Sequence, residues 1–253
     1  MPRLDARLGA AFAYVRAGHT AADIGCDHGK LSAALAGSGR CPLVLACDLR
    51  PDPLQKARLA CAPYGDAVQF RLGSGLSVLQ PGEADDIIIA GMGAETIIEI
   101  LAAAPWVFDA RYNLVLVPAT KHSVLRRWLL QNGFALRDET LCEAAGRWYT
   151  VINARYTGEK REPTGLECLC GKIPGQPGDR AYFAQQNAKL KKYRLGLAPG
   201  AESDAVDALI QQMEERICPY PCRKFTIHCK KSPRRSWRAA GITWDFWSTP
   251  VRP

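Results

Sequence analysis

From about residue 20 to residue 155, short apolar runs alternate with segments of helical periodicity. Runs such as "LVLAC" and "LVLVP" are apolar at every position, which is typical of strands covered on both faces. The pattern predicts seven strands, at 21–24, 43–47, 68–72, 86–90, 114–117, 135–142 and 148–155, with helices at 30–37, 51–62, 94–103 and 122–132. Such alternation predicts an α/β fold with a mostly parallel sheet, in which the last two strands form a hairpin at one edge.

The pattern changes after Thr157. The segment "GEKREPTGLECLCGKIPGQPGD" is rich in Gly and Pro and predicts a connection. Two amphipathic helices are predicted beyond it, at about 180–196 with Asp179 as its cap and at 204–217 opened by Ser203, and a short link favours an antiparallel pair. The predicted organisation is a Rossmann-like domain at 1–157, a linker and helical domain at 158–217, and a tail at 218–253.

The formal net charge of +8 is concentrated in the tail. Residues 218–253 hold eight Lys or Arg and one acid, and three of the six tryptophans, without a regular period. Two interpretations stay open: a basic, aromatic segment that binds nucleic acid, or an irregular end such as one from a shifted reading frame.

Apolar runs such as "IIIAGM" at 87–92 are too short to cross a bilayer. The first twenty residues carry scattered charges, at Asp5, Arg7 and Arg16, that interrupt a signal-peptide core. We therefore expect a cytoplasmic protein that does not associate with membranes.

Several of the ten cysteines lie inside apolar segments, which favours free buried thiols over disulfides. Cys168 and Cys170 are one residue apart, a poor spacing for a zinc site. The tail contains a further group of ligand-type residues, but His228 and Cys229 in it are adjacent. We predict no metal site.

The stretch "AADIGCDHGKLSAALA" at 21–36 joins the first strand to the first helix of the α/β pattern. In open α/β sheets this turn contacts the ligand, and Gly25 and Gly29 suit a tight turn. Asp27, however, stands where a dinucleotide site has glycine, and its carboxylate would repel a pyrophosphate. S-adenosylmethionine has a positive sulfonium and no phosphate, which removes the conflict.

Asp48 ends the second strand about twenty residues after the turn, where an acid accepts the ribose hydroxyls. NAD enzymes have an acid there too. Asp27 therefore distinguishes an S-adenosylmethionine site from an NAD site, and Asp48 does not. For Asp23 and Asp27 the alternative is capping of the following helix, and for Asp48 an exposed loop acid.

The fourth strand is followed by "AGMGAET". Gly91 and Gly93 leave room for a flat base, and Met92 can pack on its face. A simple glycine-rich turn is the alternative.

An ordered set of motifs runs from about Arg7 to Ile217: "RLGAAFAYV", "ADIGCDHGKL", "RLGSGLSVL", "IIIAGMGAETIIEIL", "LRRWLLQNGF" and "ETLCEAAGRWYTVI". Through them the sequence resembles the bacterial tRNA (adenine-22-N1)-methyltransferase (TrmK) family. The resemblance implies a class I, Rossmann-like methyltransferase domain and a C-terminal coiled-coil-like helical domain. It also implies methyl transfer from S-adenosylmethionine to N1 of adenine 22 in tRNA.

The resemblance assigns cofactor binding to Asp23, Gly25, Cys26, Asp27, His28, Gly29, Asp48, Leu49, Gly73, Ser74, Gly75, Ala90 and Gly91. Asp27, Met92 and Gly93 are the expected catalytic residues at the target base. Adenine N1 has an in-plane lone pair, so no general base is needed, and a carboxylate would stabilise the cationic product.

A tRNA substrate needs a positive surface. We expect it to be formed by Arg7, by Arg126 and Arg127 on one surface helix, and by Lys189, Lys191, Lys192 and Arg194 on a C-terminal helix. A solvated helix face is the alternative. Adenine 22 must also leave the tRNA core to react.

Three positions depart from the family pattern. Ser74 replaces an acid expected to meet the adenine amino group, Ala94 replaces a glycine and would narrow the base pocket, and Gly29–Lys30 replaces Ala–Tyr. An inactive RNA-binding paralogue and a methyltransferase of another acceptor therefore stay open, whereas Asp27 disfavours an NAD oxidoreductase.

Overall fold

The computed structural model describes residues 2–217, and the basic tail at 218–253 lies outside them. The sheet has the strand order β3-β2-β1-β4-β5-β7-β6. Strands β1 to β5 are parallel, and β7 is antiparallel to both β5 and β6. Their bounds are β1 (Ala21–Ile24), β2 (Val44–Asp48), β3 (Val68–Leu72), β4 (Asp86–Ala90), β5 (Asn113–Val117), β6 (Phe134–Ala144) and β7 (Arg147–Tyr156). The predicted fold class, with its hairpin edge, is confirmed.

Eight α-helices lie within residues 2–217: α1 (Ala6–Tyr14), α2 (Lys30–Gly37), α3 (Pro51–Cys61), α4 (Ala94–Ala102), α5 (His122–Gln131), α6 (Gly165–Cys170), α7 (Asp179–Arg194) and α8 (Ala201–Ile217). None of them is long and apolar enough to cross a membrane. Single 3₁₀ segments occupy Ala62–Ala67, Gly75–Val78 and Pro105–Val107.

Alternate side chains of the central strands point to opposite faces of the sheet. Ile87 and Ile89 of β4 belong to the cluster that packs under α4 and α5. Ile88 belongs to the cluster on the other face, which packs under α1, α2 and α3. All five residues of β2 and of β5 are buried, which explains the apolar runs at 44–47 and 114–117.

Two helices were not predicted, and both begin with a side-chain cap. Asp5 Oδ1 accepts a hydrogen bond from the Leu8 N–H at 2.9 Å at the start of α1. At α6, Thr164 and Glu167 form a capping box inside the predicted connection. The sequence T-x-x-E carried that signal. Asp179 is not the cap of α7 but its first residue, because Gly178 takes the cap position.

Arg126 was expected on a helix surface facing RNA, and this is wrong. Its side chain is 0% exposed and forms an ion pair with the equally buried Glu139 of β6, Nη2 to Oε1 2.6 Å. Arg126 also donates to the carbonyl oxygens of Cys168 and Leu169 at 2.7 and 3.1 Å. The guanidinium therefore links α6 to the sheet. The predicted boundary between two domains at residue 157 stays a prediction.

Helices α7 and α8 form an antiparallel pair, as expected. Two ion pairs join them, Lys191 to Glu214 at 2.7 Å and Arg194 to Asp207 at 2.8 Å. Their shared core packs against β6 through Leu141.

The buried ion pair gives a test of this joint. Arg126→Leu should lower the free energy of unfolding by about 3–5 kcal/mol, because it leaves the Glu139 carboxylate buried without its partner. The neighbouring Arg127→Leu should cost less than about 1 kcal/mol, since Arg127 pairs with the largely exposed Glu162.

Urea denaturation of both variants measures this difference. The double variant Arg126→Leu/Glu139→Leu should recover part of the loss, because no charge is then left unpaired. Equal, small losses for Arg126→Leu and Arg127→Leu would show that the pair does not hold the joint.

Candidate active site

The carboxyl ends of β1, β2 and β4 meet at one edge of the sheet. Ile24, the last residue of β1, lies opposite Cys47 on one side and Ile89 on the other. The loops that follow these strands, together with the start of α1 and part of β7, enclose a cavity of about 1150 Å³. Ligands of open α/β sheets bind at this edge.

Most of the residues expected at the cofactor and the base line this cavity: Arg7, Asp23, Gly25, Cys26, Asp27, His28, Asp48, Leu49, Gly73, Ser74, Gly75, Ala90, Gly91 and Met92. Their individual roles stay predictions. Gly29 and Gly93 were expected here as well, but neither lines the cavity.

Gly29 instead allows the start of α2 to pack closely against α3. It has φ +68°, and a Cβ at this position would lie 2.8 Å from the Ala57 Cβ of α3. Gly93 precedes α4, and a Cβ there would be closest to the Thr120 Oγ1, at 3.5 Å. Ala94, which was expected to narrow the base pocket, is fully buried in the core and does not line the cavity.

The turn after β1 is tight because both its first N–H groups bind one carbonyl. The N–H groups of Gly25 and Cys26 donate to the Cys47 carbonyl oxygen at 2.8 and 2.9 Å. Gly25 has φ +73°, and a Cβ on it would overlap the Met92 Cε. The turn after β1 therefore lies against the loop after β4.

Asp48 is fixed by the backbone at the end of β2. Its Oδ2 accepts the Asp27 N–H at 3.1 Å, and its Oδ1 accepts the Arg50 N–H at 2.9 Å. The residue is only 7% exposed, yet it lines the cavity. Each carboxylate oxygen has a further lone pair, which a ligand hydroxyl can use.

Asp23 lies deeper, under the turn. Burial raises the pKa of its carboxyl to about 6, although the Ser32 hydroxyl donates to it. That hydrogen bond, from Oγ to Oδ2, is 2.6 Å long. The negative charges of Asp48 and Asp27 raise the pKa further, so this end of the cavity disfavours additional negative charge.

Asp27 lies at the cavity mouth, where its side chain is 63% exposed. Burial raises the pKa of its carboxyl, but the hydrogen bond from His28 and the charge of that ring outweigh it, so the pKa lies below its usual range. The distance from His28 Nδ1 to Asp27 Oδ2 is 2.8 Å. Asp27 therefore stays ionised at neutral pH.

Several cavity residues carry no signal in the local sequence. Tyr149, on β7, lies about 120 residues from the turn in sequence, and its strand carried no ligand signature. An apolar end is formed by Leu76, Leu79, Ile100, Ala103, Ala104 and Trp106. In the sequence these apolar residues cannot be told from core residues, so only the fold shows that they line the cavity.

Except for Arg7, the cations expected to bind RNA lie outside this cavity. Arg127, Lys189, Lys191, Lys192 and Arg194 do not line the cavity. Lys189, Lys191 and Lys192 are exposed on α7.

The seven cysteines of the described region are all free and buried, as expected. Burial raises the pKa of the Cys47 thiol to about 12 and that of Cys61 to about 11, so neither is a thiolate at neutral pH. Residues 2–217 contain no group of three or more His, Cys, Asp or Glu placed to hold a metal ion. The ligand-type residues of the tail, including His228 and Cys229, lie outside the described residues.

Residues 4–152 match a family described as a methyltransferase domain. The tRNA (adenine(22)-N(1))-methyltransferase of Bacillus subtilis (strain 168) is 30% identical over 175 residues, which cover 68% of this chain and 74% of that protein. The chain belongs to the tRNA (adenine(22)-N(1))-methyltransferase family.

Solved structures agree with this membership. The B. subtilis m1A22 tRNA methyltransferase TrmK superposes with a TM-score of 0.73 at 26% identity, over 86% of this chain and 100% of that one. M. capricolum TrmK, solved with S-adenosyl-homocysteine, has a TM-score of 0.70 at 21% identity, over 85% and 97% of the two chains. The second likeness shows the shared fold.

The raised pKa of Asp23 makes stability depend on pH in a defined direction. The cost of ionising the buried carboxyl builds up between about pH 4 and pH 6, where the unfolded carboxyl is ionised and the folded one is still protonated, and it is complete above about pH 6. Asp23→Asn should therefore gain stability relative to wild type as the pH rises from 4.5 to 8, by on the order of 2–3 kcal/mol.

Urea denaturation at a series of pH values measures this, with the exposed Asp66→Asn as control. The buried amide adds an offset that does not vary with pH, so the slope is the decisive quantity. A difference between Asp23→Asn and wild type that is constant with pH would contradict the raised pKa.

Proposed function

We propose that this protein transfers a methyl group from S-adenosylmethionine to N1 of adenine 22 in tRNA. The observation that carries the proposal is the acidic cavity edge formed by Asp23, Asp27 and Asp48, in a member of this family. That edge suits a cationic, phosphate-free cofactor.

The residues present fit S-adenosylmethionine. Asp48 would accept the ribose hydroxyls, and the backbone at Gly25 would face the methionine part. Leu49 and the segment from Gly73 to Gly75 would border the adenine. Ser74 offers a neutral hydroxyl there instead of an acid. When bound, the cofactor supplies an electrophilic methyl group.

The protein has little proton chemistry to perform. Adenine N1 presents a lone pair, so no side chain needs to remove a proton. The ring becomes cationic, and the ionised Asp27 carboxylate at the cavity mouth offsets that charge. Met92, in contact with the turn at Gly25, borders the acceptor position and aligns the base with the methyl group.

A tRNA substrate also needs phosphate contacts outside the cavity. We propose that the exposed face of α7 provides them through Lys189, Lys191, Lys192 and Arg194. Lys191 and Arg194 already pair with acids of α8, which lowers their share of the positive potential. Lys189 and Lys192 have no ion-pair partner within residues 2–217, and they should contribute more. We propose that the protein acts on tRNA in the cytoplasm.

The test is methyl transfer from isotope-labelled S-adenosylmethionine to unmodified tRNA. A tRNA with A22 and the same tRNA with G22 are compared, with the full chain and with a version that ends at Ile217. We expect label only on the A22 tRNA and a primer-extension stop at position 22.

The amount of label transferred by the version that ends at Ile217, compared with that by the full chain, shows whether the tail takes part in methyl transfer. Equal label on A22 and G22 tRNA would contradict the proposed target. Cofactor binding without any transfer would favour the inactive paralogue, for which the neutral Ser74 in the cavity is the structural reason.

A further inference from the structure

We infer that Tyr149 contacts the target adenine and holds it beside the end of β4, an inference that rests on the proposed function. The motif "ETLCEAAGRWYTVI" contains this residue but gives it no role, and Tyr149 belongs to an antiparallel strand and not to a loop at the carboxyl edge. Its half-buried ring nevertheless lines the cavity.

Tyr149 is held in place by its strand and by α1. Its backbone pairs with Cys142 of β6. The Arg7 guanidinium carbon lies 5.6 Å from the centre of its ring, within the range of a cation–π contact. The ring and the guanidinium therefore form one wall of the cavity.

This wall faces the loop after β4. A Cβ placed on Gly91 would lie 3.5 Å from the Arg7 Nη1, so the guanidinium borders the residue that follows β4. Gly91 in turn is tied to β5, because its N–H donates to the Val117 carbonyl at 3.0 Å. In the proposed function, the acceptor approaches the methyl group at this place, beside Met92.

The wall suits a flat base better than a phosphate. The Arg7 Nε lies 3.1 Å from the Asp5 Oδ2, so its charge is partly neutralised. Aromatic rings bind any base by stacking, which suits an adenine that has left the tRNA core. Within the described chain the cavity has one other large aromatic ring, Trp106, and it packs edge-on against Tyr112.

The experiment compares Tyr149→Leu and Tyr149→Phe with wild type in the full chain. Loss of the ring should lower kcat/KM for A22 tRNA by about 10- to 100-fold, as expected for a lost base stack. Tyr149→Phe should stay within about threefold of wild type, and S-adenosyl-homocysteine should bind all three proteins within about twofold. Tyr64→Leu, at a half-buried tyrosine outside the cavity, is the matched control and should keep its activity.

A cross-link on the wild-type protein tests the contact without any variant. A tRNA with 2-azidoadenosine at position 22 is irradiated with the protein, and the adduct is mapped by mass spectrometry. We expect the adduct on the tryptic peptide 148–155, which contains Tyr149.

The outcomes separate this inference from the proposed function. If wild type does not methylate A22 tRNA, the proposed function itself fails. If wild type is active but Tyr149→Leu stays within twofold of it, the inference fails. It also fails if Tyr149→Phe loses as much as Tyr149→Leu, if cofactor binding falls in parallel, or if the adduct lies only on other peptides.

Discussion

The parallel pairing of β1 between β2 and β4 is the constraint on which the site depends. The register sets Asp23 opposite Ala46 and Ile88, and it brings the three strand ends to one edge. A slip by one residue would turn the side chains of β1 to the wrong faces of the sheet. The buried apolar clusters on both faces prevent such a slip, so the packing of the core also positions the carboxylates.

Those carboxylates are held where their mutual repulsion is costly. Asp23 is buried below Asp48 and Asp27, and its pKa is raised mainly by burial and further by the negative charges of these two carboxylates. Backbone N–H groups hold Asp48, and His28 holds Asp27. A cationic ligand lowers the repulsion, whereas a pyrophosphate raises it. The choice of cofactor thus follows from the charge of the edge.

The C-terminal helices are attached to the sheet by a different interaction, a buried ion pair. Arg126 and Glu139 are buried together, and the guanidinium also binds the last carbonyls of α6. Glu139 completes the joint by accepting the Lys172 N–H at 3.0 Å. The exposed cations of α7 lie outside the set of residues that line the cavity.

Periodic apolar runs predicted the seven strands closely because both faces of the central sheet are covered. The turn after β1 was also predictable, since its Asp and Gly residues are local signals. Arg126 was not, because a buried arginine and an exposed one look alike until the partner, Glu139, is placed beside it. Gly29 packs against a distant helix, and Tyr149 reaches the cavity through antiparallel pairing. Both contacts join residues that are far apart in the chain, so the local sequence does not predict them.

The most direct measurement of the central claim is calorimetric titration of the full chain with S-adenosylmethionine and, separately, with NAD⁺. The charge of the edge predicts saturable binding of S-adenosylmethionine that weakens in Asp48→Asn, and no binding of NAD⁺. Binding of NAD⁺ as tight as that of S-adenosylmethionine, or binding of NAD⁺ alone, would contradict the account.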